Sequence, residues 1–419
     1  MDTKQDMGFN TQAVKTHLDG LRQHRPLGVP ITQNTNFQFA SSRALGEAFH
    51  DPHQAAAVYT RFGHPTLAAA EAKLARLEGG EAAVVFDSGM GAITASLLAV
   101  LAAGDHVVAQ REIFAQTFTF LDEKARSLRI ETSFVDATDL DAVTAAIRTQ
   151  TRVVYIETPS NPLLRVADIA AVARIAASHG ALLFVDGTFA SPYLQNPLRW
   201  GADLVLHSGT KFLGGHADIM CGVAVGRSAL VNQIRQTQVL LGGLLDPHAA
   251  WLLLRSIKTL GVRVQRQCDT ALALARFLVQ QDGIVQVHYP WLEGSAYVEL
   301  ARKQMRGGGG VVSFEVAGGL AGARRFVDVL RLIPVATSLG GVESVIEVPS
   351  ELDFSERELG AAASLTGIRP GLIRLSVGLE DVHDLEADLC LGVGAAVSAT
   401  VLAGARDESA PCEPAPAHA

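Results

Sequence analysis

Short apolar runs alternate with segments of helical periodicity from about residue 80 onward. The runs that predict strands are 81–87, 105–110, 130–136, 151–157, 181–186 and 202–208. Each run is continuously apolar, which is typical of strands buried on both faces. Between them, 91–104 and 168–180 have the spacing of helices packed on a sheet. The pattern predicts an α/β fold with a mostly parallel sheet.

Polar residues stand where several of the predicted strands end. Ser88, Glu157, Asp186 and Ser208 lie at or just past four of these ends. Parallel sheets bind ligands beyond the carboxyl ends of their strands. We therefore expect these side chains to converge on one ligand site.

The pattern changes after about residue 255, where 307–319 and 371–381 predict strands of a second, smaller α/β layer. The uncharged stretch 389–405 is at the short end of what crosses a bilayer and is diluted by glycine and other small residues. A terminal helix packed on the protein is therefore favoured over a membrane span. Residues 406–419 are rich in proline, alanine and charge and predict a disordered tail.

Composition narrows the class of protein. The 419 residues are 48% hydrophobic, enough for two domains, and the net charge of −8 argues against nucleic acid as a partner. The four cysteines form no CxxC pair and no His-paired spacing, so we expect no metal site, no disulfide framework and a cytoplasmic location. The first twenty residues lack the apolar core of a signal peptide.

Two ionisable residues stand out at the strand ends. Lys211 lies between small hydroxyl residues and a glycine pair in "LHSGTKFLGGHAD", although by itself this segment fits a loop with a solvated lysine. Asp186 ends a hydrophobic strand, where a carboxylate is costly to bury unless it faces a cation. A protonated pyridine nitrogen is one such cation, and a helix cap is the plainer alternative.

The junction "DSGMGA" (87–92) leads from a predicted strand into a helix. Backbone amides and the helix dipole at such a junction favour a phosphate, although tight turns use glycine anyway. An acid, a phosphate cradle and a reactive lysine at adjacent strand ends together match the needs of pyridoxal 5'-phosphate (PLP).

The chain resembles the Cys/Met metabolism family of PLP-dependent enzymes, the group of cystathionine γ-synthase, cystathionine γ-lyase, methionine γ-lyase and O-acylhomoserine sulfhydrylase, from about residue 28 to about residue 388. The motifs that carry the resemblance are "YTRFGHPT" (59–66), "LEGGEAAVVFDSGMGAITA" (77–95), "ETPSNPLL" (157–164), "VDGTFASPYLQNPLRWGADLVLHSGTKFLGGHAD" (185–218), "SLGGVES" (338–344) and "GLIRLSVGLED" (371–381).

The resemblance implies fold type I and a division of the chain into four parts. They are an N-terminal arm reaching a neighbouring subunit (1–60), a large PLP-binding domain (61–255), a small C-terminal domain (256–405) and the tail (406–419). It also implies a homo-oligomer, either a dimer or a dimer of dimers.

The resemblance further implies roles for individual residues around the cofactor. Lys211 would form the Schiff base and Asp186 would face the pyridine nitrogen. The phosphate would be held by Ser208, Thr210, the amides of Gly89 and Met90 and, from a neighbouring subunit, Tyr59 and Arg61. Asn161 would contact the ring hydroxyl or the substrate, while Arg374 and Ser338 would grip the substrate carboxylate.

Departures from the family pattern bear on the reaction. Phe114 occupies the position of a tyrosine that stacks on the cofactor ring and moves protons, so the stacking face is kept and the phenol is lost. Gly187 and His64 each replace an asparagine, and 346–360 lacks the usual motif. Glu343 matches the γ-synthase and γ-lyase pattern and is assigned to substrate binding.

These features predict γ-replacement on an activated O-acyl homoserine-type amino acid by a thiol or another nucleophile. The alternative within the family is γ-elimination to a 2-oxo acid, ammonia and a thiol. A dinucleotide-binding oxidoreductase is disfavoured because no GxGxxG follows the first strand. A catalytically silent protein of the same fold is the remaining alternative.

Overall fold

The computed structural model describes residues 7–15, 26–50, 58–352 and 368–407, with side chains described as far as residue 396. Three predicted regions lie partly outside these ranges: the N-terminal arm, the segment 346–360 that lacks the family motif (its residues 353–360), and nearly all of the tail.

A seven-stranded sheet forms the first part of the structure. Its strands are β1 (Ala82–Phe86), β2 (His106–Gln110), β3 (Glu131–Val135), β4 (Thr151–Glu157), β5 (Leu182–Asp186), β6 (Leu204–Ser208) and β7 (Gly222–Gly226). They are ordered β1-β7-β6-β5-β4-β2-β3, and all neighbouring pairs are parallel except the two made by β7. The predicted mostly parallel sheet and the six strands predicted for it are confirmed.

Helices cover both faces of this sheet. They are α1 (Phe9–Val14), α2 (Ser42–His50), α3 (Pro65–Glu78), α4 (Gly89–Val100), α5 (Ala115–Thr119) with a π-helical turn at Phe120–Ala125, α6 (Leu140–Ala146), α7 (Ile169–Ser178), α8 (Ser191–Leu194), α9 (Ser228–Leu241), α10 (Pro247–Ile257) and α11 (Leu260–Val279). Helix α7 begins where the sequence predicts, since the Asp168 carboxylate accepts a hydrogen bond of 2.9 Å from the amide of Ala171.

Strand alternation sends successive side chains to opposite faces of the sheet. In β5, Phe184 packs in the core beneath α4 and α9, whereas Leu183 and Val185 pack in the core beneath α6 and α7. Asp186 follows the same alternation and therefore shares the α4 face with Phe184. By the same rule Ser208 lies on the α4 face and His207 on the other.

Strand β7 was not predicted, because an antiparallel strand interrupts the alternation of strand and helix from which a parallel sheet was inferred. Gly222 starts β7 and lies against the beginning of α4, where a Cβ atom would come within 2.0 Å of the Ser88 carbonyl oxygen. Only glycine permits this approach. The close packing fixes the start of α4 against the neighbouring strands.

A four-stranded antiparallel sheet forms the second part. Its strands are β8 (Ile284–His288), β9 (Val311–Val316), β10 (Val345–Glu347) and β11 (Leu372–Ser376), ordered β10-β11-β9-β8. The helices around it are α12 (Val298–Gln304), α13 (Gly319–Asp328), α14 (Pro349–Leu352) and α15 (Val382–Asp407). Helix α11 joins the two parts, since Leu260 and Val264 pack in the core of the first and Leu274 and Leu278 in the core of the second.

The predicted C-terminal helix is present as α15. Among the described residues, no helix combines the length and the apolar character needed to cross a membrane.

Gly222→Ala should lower the free energy of unfolding by about 3 kcal/mol, because either β7 or the start of α4 must move to accommodate the methyl group. Gly46→Ala is the matched control: the glycine is inside α2, and a Cβ atom there meets nothing within 4 Å. The control should be neutral or more stable by up to about 1 kcal/mol. Equal urea midpoints for the two variants would contradict the packing argument.

Candidate active site

The carboxyl ends of three neighbouring strands meet as the sequence predicts. Glu157 pairs in register with Asp186, Asp186 with Leu206, and Ser208 with Gly222. The acidic residues and the hydroxyl of β6 therefore lie along one edge of the sheet. The segment that carries Lys211 leaves the same edge directly after β6.

Asp186 is buried, with 7% of its surface exposed. Its carboxylate accepts a hydrogen bond of 2.9 Å from the Thr188 amide, and the Tyr155 hydroxyl donates to it at 3.4 Å. Burial raises the pKa of Asp186, and the bonds from Thr188 oppose that rise. Both hydrogen-bond partners are neutral, so a cationic ligand atom at this carboxylate would be strongly stabilised.

Glu157 is a second buried carboxyl group at this edge, where the sequence predicts its position but no role for it. Burial, followed by the nearby charge of Asp186, raises the pKa of Glu157 well above its usual range. The side chain accepts a hydrogen bond of 3.0 Å from the Phe114 amide, which lowers this pKa and so opposes the shift. This bond fixes the start of α5, where the Phe114 ring is 44% exposed.

The first turn of α4 forms an anion cradle opposite β6. Ser88 caps the helix, its hydroxyl accepting a hydrogen bond of 3.0 Å from the Gly91 amide. The amides of Gly89 and Met90 precede the first carbonyl that could accept them within the helix. A Cβ atom on Gly89 would come within 3.0 Å of the Ser208 hydroxyl oxygen and would fill the space between them.

Thr210 lies beside this cradle. Its hydroxyl accepts a hydrogen bond of 3.1 Å from the Cys221 amide and lies 3.4 Å from the Cys221 carbonyl oxygen. These bonds join the lysine segment to the residue before β7. The hydroxyl proton is directed at the Cys221 carbonyl oxygen over this long distance, and it would have to turn away from that oxygen to donate to a phosphate.

Lys211 is half-buried, and its ammonium donates a hydrogen bond of 2.7 Å to the Ser338 hydroxyl. Burial, followed by the positive charge of Arg374, lowers the pKa of Lys211 to about 8, while Glu347 opposes the shift. Such a lysine has a substantial neutral fraction near physiological pH and is a competent nucleophile and base.

Arg374 is buried on β11 and is oriented from three sides. One nitrogen donates to the Asn161 side-chain oxygen at 2.9 Å, and another to the Ser338 carbonyl oxygen at 3.0 Å. Glu347, the paired residue on β10, forms a salt bridge of 2.8 Å with it. The structure thus brings together three residues predicted from separate motifs, and it adds Glu347, which only the strand register could have revealed.

A cavity of about 400 Å³ opens beside this cluster. Thr210, Ser338 and Glu343 are among its lining residues, together with Asp218 and the exposed Met220. Glu343 is exposed and lines this cavity, and its assignment to substrate binding stays a prediction.

Tyr59 and Arg61 lie apart from these residues. Both are exposed; the Arg61 guanidinium stacks 5.7 Å from the Tyr59 ring centroid and donates at 3.3 Å to the Val239 carbonyl oxygen. Their assignment to a neighbouring subunit's site stays a prediction.

The residues of the edge fit PLP. A buried acid with neutral partners suits a pyridinium nitrogen, a helix start that a Cβ atom would fill suits a phosphate, and a lysine of lowered pKa suits an aldehyde. Fold and site together define a PLP-dependent enzyme of fold type I.

The chain belongs to the Cys/Met metabolism family of PLP-dependent enzymes, whose family model matches residues 10–393. It is 44% identical to an L-methionine gamma-lyase of Pseudomonas putida, over 91% of this chain and 96% of that protein. It is 40% identical to an O-succinylhomoserine sulfhydrylase of Pseudomonas aeruginosa, over 81% and 84% of the two chains.

Solved structures agree with these relatives. The crystal structure of cystathionine gamma synthase from Xanthomonas oryzae pv. oryzae, in complex with aminoacrylate and cysteine, has a TM-score of 0.87 and 36% identity. The match covers 94% of this chain and 99% of that one. The predicted family, fold type and cofactor are confirmed, and the protein is a PLP-dependent enzyme of a family that acts at Cγ of amino acids.

The rate at which the apoprotein takes up PLP should rise with pH, about tenfold per unit below pH 8, and should level off above it. The reason is that only the neutral Lys211 amine attacks an aldehyde and the pKa of this amine is about 8. Stopped-flow absorbance at a series of pH values measures the midpoint.

Two substitutions should move that midpoint in opposite directions. Glu347→Gln removes a charge that raises the pKa of Lys211, so the midpoint should fall, whereas Arg374→Gln removes a charge that lowers this pKa, so the midpoint should rise. A wild-type midpoint near 10, or shifts of the same sign, would exclude this electrostatic account. Circular dichroism checks that both variants are folded.

Proposed function

We propose that the protein catalyses γ-replacement on an activated, O-acyl homoserine-type amino acid, with a thiol as the incoming nucleophile. The Cγ–O bond of the ester breaks and the acyl group leaves as a carboxylate. A Cγ–S bond forms, and the thiol proton is released. The observation that carries this proposal is the phenylalanine at position 114.

The cofactor roles in this proposal follow the geometry of the strand ends. Lys211 holds the aldehyde carbon, Asp186 faces the ring nitrogen, and Ser208 with the amides of Gly89 and Met90 holds the phosphate. Thr210 is assigned to the phosphate as well, with its hydroxyl shared with Cys221. When bound, PLP supplies an electron sink for the carbanions that form at Cα and Cβ.

Arg374 and Ser338 are proposed to bind the substrate carboxylate. The planar guanidinium is already oriented by Asn161 and Glu347, so little conformational entropy is lost when a carboxylate binds. The Ser338 hydroxyl also accepts a hydrogen bond of 2.7 Å from the Lys211 ammonium, so a residue proposed to bind the carboxylate is in contact with the amine. Glu343 is proposed to contact the part of the substrate beyond Cγ.

Lys211 is the proposed proton carrier. An amine with a pKa of about 8 accepts a proton from carbon near neutral pH and returns it to a neighbouring carbon without a large barrier. Glu157 already accepts a hydrogen bond from the amide of Phe114. The chain therefore relies on one group for proton movement between carbons.

Phe114 determines which leaving groups are possible. Its amide donates a hydrogen bond of 3.0 Å to Glu157, which is paired with Asp186, so the residue lies close to the strand ends where the cofactor is proposed to bind. The ring presents a π face but has no acidic proton. An unactivated thiolate needs such a proton in order to leave, whereas the carboxylate of an acyl ester leaves without one. This difference favours esters over thioethers as substrates.

γ-Elimination is the second candidate function. The identity of 44% with a methionine gamma-lyase favours it. Elimination shares the steps at Cα and Cβ, but Cγ then gains a proton in place of a thiol. Water ends the reaction at Cα, where the C–N bond is hydrolysed to give the 2-oxo acid and ammonia.

We also propose that the protein acts as a homo-oligomer in which Tyr59 and Arg61 complete a neighbour's phosphate site. Two observations support this proposal. Both side chains are exposed, and they are held together because the Arg61 guanidinium lies 5.7 Å from the centroid of the Tyr59 ring.

The purified enzyme should convert O-acetyl- or O-succinyl-homoserine and a thiol to a thioether amino acid at least tenfold faster, in kcat/KM, than it releases a 2-oxo acid from methionine or cystathionine. Chromatography of the thioether and a coupled assay for the 2-oxo acid measure the two rates. Faster release from methionine than from either ester would show that elimination is the function.

Phe114→Tyr should restore a leaving-group acid. We expect release of 2-oxo acid from methionine to rise roughly tenfold to a hundredfold, while replacement on the acyl ester changes less than about threefold. Phe118→Tyr, an aromatic residue one turn along that stacks on Phe134, is the matched control and should change neither rate. An unchanged elimination rate in Phe114→Tyr would refute the role given to the missing phenol.

A further inference from the structure

Helix α11 carries a buried arginine, Arg263, whose hydrogen-bond partners among the described residues are uncharged oxygens. The side chain is 3% exposed. It donates to the Phe212 carbonyl oxygen at 3.0 Å and to the Ser256 carbonyl oxygen at 3.1 Å, and to the Thr259 hydroxyl at 3.2 Å. Ser256 lies in the last turn of α10, where the negative end of the helix dipole stabilises a cation. Burial lowers the pKa of Arg263 to about 10, so the guanidinium stays charged near neutral pH.

Arg263 fixes the backbone next to the reactive lysine. Phe212 follows Lys211 directly, so the bond from Arg263 to the Phe212 carbonyl oxygen holds the adjacent peptide group. The guanidinium lies directly against Gly215, where φ is +68° and a Cβ atom would come within 2.0 Å of Nη1. The Gly215 amide in turn donates to the Lys211 carbonyl oxygen at 2.7 Å. Both carbonyl groups of the lysine segment are therefore held in place.

Gln267 lies one turn further along α11, on the same face as Arg263. Its side chain is fully buried, and its Nε2 atom donates to the Gly341 carbonyl oxygen at 2.7 Å. Its Oε1 atom has no partner among the residues that the structure describes. Gly341 belongs to the segment that carries Ser338, so one face of this helix holds both the lysine segment and the serine segment.

The two held segments also touch each other. A Cβ atom on Gly340 would come within 2.6 Å of the Phe212 amide nitrogen and 3.0 Å of the Lys211 carbonyl carbon. The Gly340 amide donates to the Ser376 hydroxyl on β11 at 2.8 Å. Ser338 has a φ of +85°, a conformation that a residue other than glycine keeps only where its surroundings hold it. Contacts from α11 and β11 supply that support.

We propose that Arg263 and Gln267 are positioning residues through which α11 sets the distance between the Lys211 amine and the carboxylate site at Ser338. The amine nitrogen and the Ser338 hydroxyl oxygen are 2.7 Å apart. The helix packs in the cores of both parts of the structure, which makes it a rigid support for the two segments. The inference rests on the roles proposed above for Lys211 and Ser338. Arg263 and Gln267 act through backbone groups of those segments.

The test uses the PLP-loaded enzyme and L-norvaline, an amino acid that has a carboxylate but no γ leaving group. Its dissociation constant, measured by absorbance titration, reports on the carboxylate site. The rate at which its α proton exchanges in D2O at saturation, measured by NMR, reports on the reach of the Lys211 amine. Both measurements are independent of whether the enzyme replaces or eliminates a γ substituent.

Two single variants should alter different readouts. Arg263→Met frees the lysine segment, so exchange at saturation should slow by roughly tenfold or more, while the norvaline dissociation constant changes less than about twofold. Gln267→Met frees the serine segment, so this dissociation constant should rise roughly fivefold to tenfold for the loss of one hydrogen bond. Arg266→Met and Gln265→Met, at exposed positions of the same helix, are the matched controls and should change neither readout.

Unchanged exchange in Arg263→Met, or unchanged norvaline affinity in Gln267→Met, would overturn the proposal. A lower urea midpoint without either effect would mean that the two residues serve the fold alone. If Arg263→Met does not fold, Arg263→Lys keeps the cation but loses the fork that reaches two carbonyl oxygens, and exchange should slow roughly threefold; an unchanged rate there would equally overturn the proposal. Norvaline affinity that is unchanged in Arg374→Gln would instead refute the proposed carboxylate site.

Discussion

Burial of the Asp186 carboxylate at the end of a β-strand is the constraint on which the candidate site depends. An acid in that position is stable only if its neighbours are donors, neutral groups or cations. The structure supplies two donors, the Thr188 amide and the Tyr155 hydroxyl, and both are neutral. The candidate site is therefore built around one buried acid that has no cationic hydrogen-bond partner among these contacts.

A second electrostatic balance sets the reactivity of Lys211. Burial and the charge of Arg374 lower the pKa of this amine, whereas the charge of Glu347 raises it. The resulting pKa is about 8. Arg374 and Glu347 are paired across β10 and β11. Arg374 is therefore both the proposed ligand of the substrate carboxylate and a determinant of the pKa of Lys211. A substitution of Arg374 would alter both properties.

The strand ends and most residues of the candidate site could be predicted from the sequence, because the signals for them lie in short continuous segments. The continuously apolar runs ending in Glu157, Asp186 and Ser208 show where parallel strands stop, and stopping points in such a sheet share an edge. Lys211, Arg374 and Ser338 came from motifs of the family, and the structure joins them through the Ser338 hydroxyl and carbonyl oxygens.

What the sequence did not reveal depends on contacts between distant segments. Strand β7 breaks the alternation on which the prediction of a parallel sheet rested, and Glu347 has no local signal because its partner is fixed by strand register alone. Likewise, His207 lies within the apolar strand β6, and its proximity to Glu78 appears only when α3 packs under the sheet. Contacts between buried polar side chains that are so far apart in the chain leave no periodic pattern in the sequence.

The cavity beside Ser338 is formed largely by residues other than those proposed to bind the cofactor, and this separation bears on how such enzymes acquire new substrates. Its walls come largely from two connecting segments, near 217–220 and 337–345, that contribute no residue to the buried acid or to the helix start facing it. Replacements in these segments at positions other than Ser338 can change which substrate side chain the cavity accepts while Asp186 and the start of α4 stay intact. Selection can thus explore new substrates at these positions without altering the residues proposed to bind the cofactor.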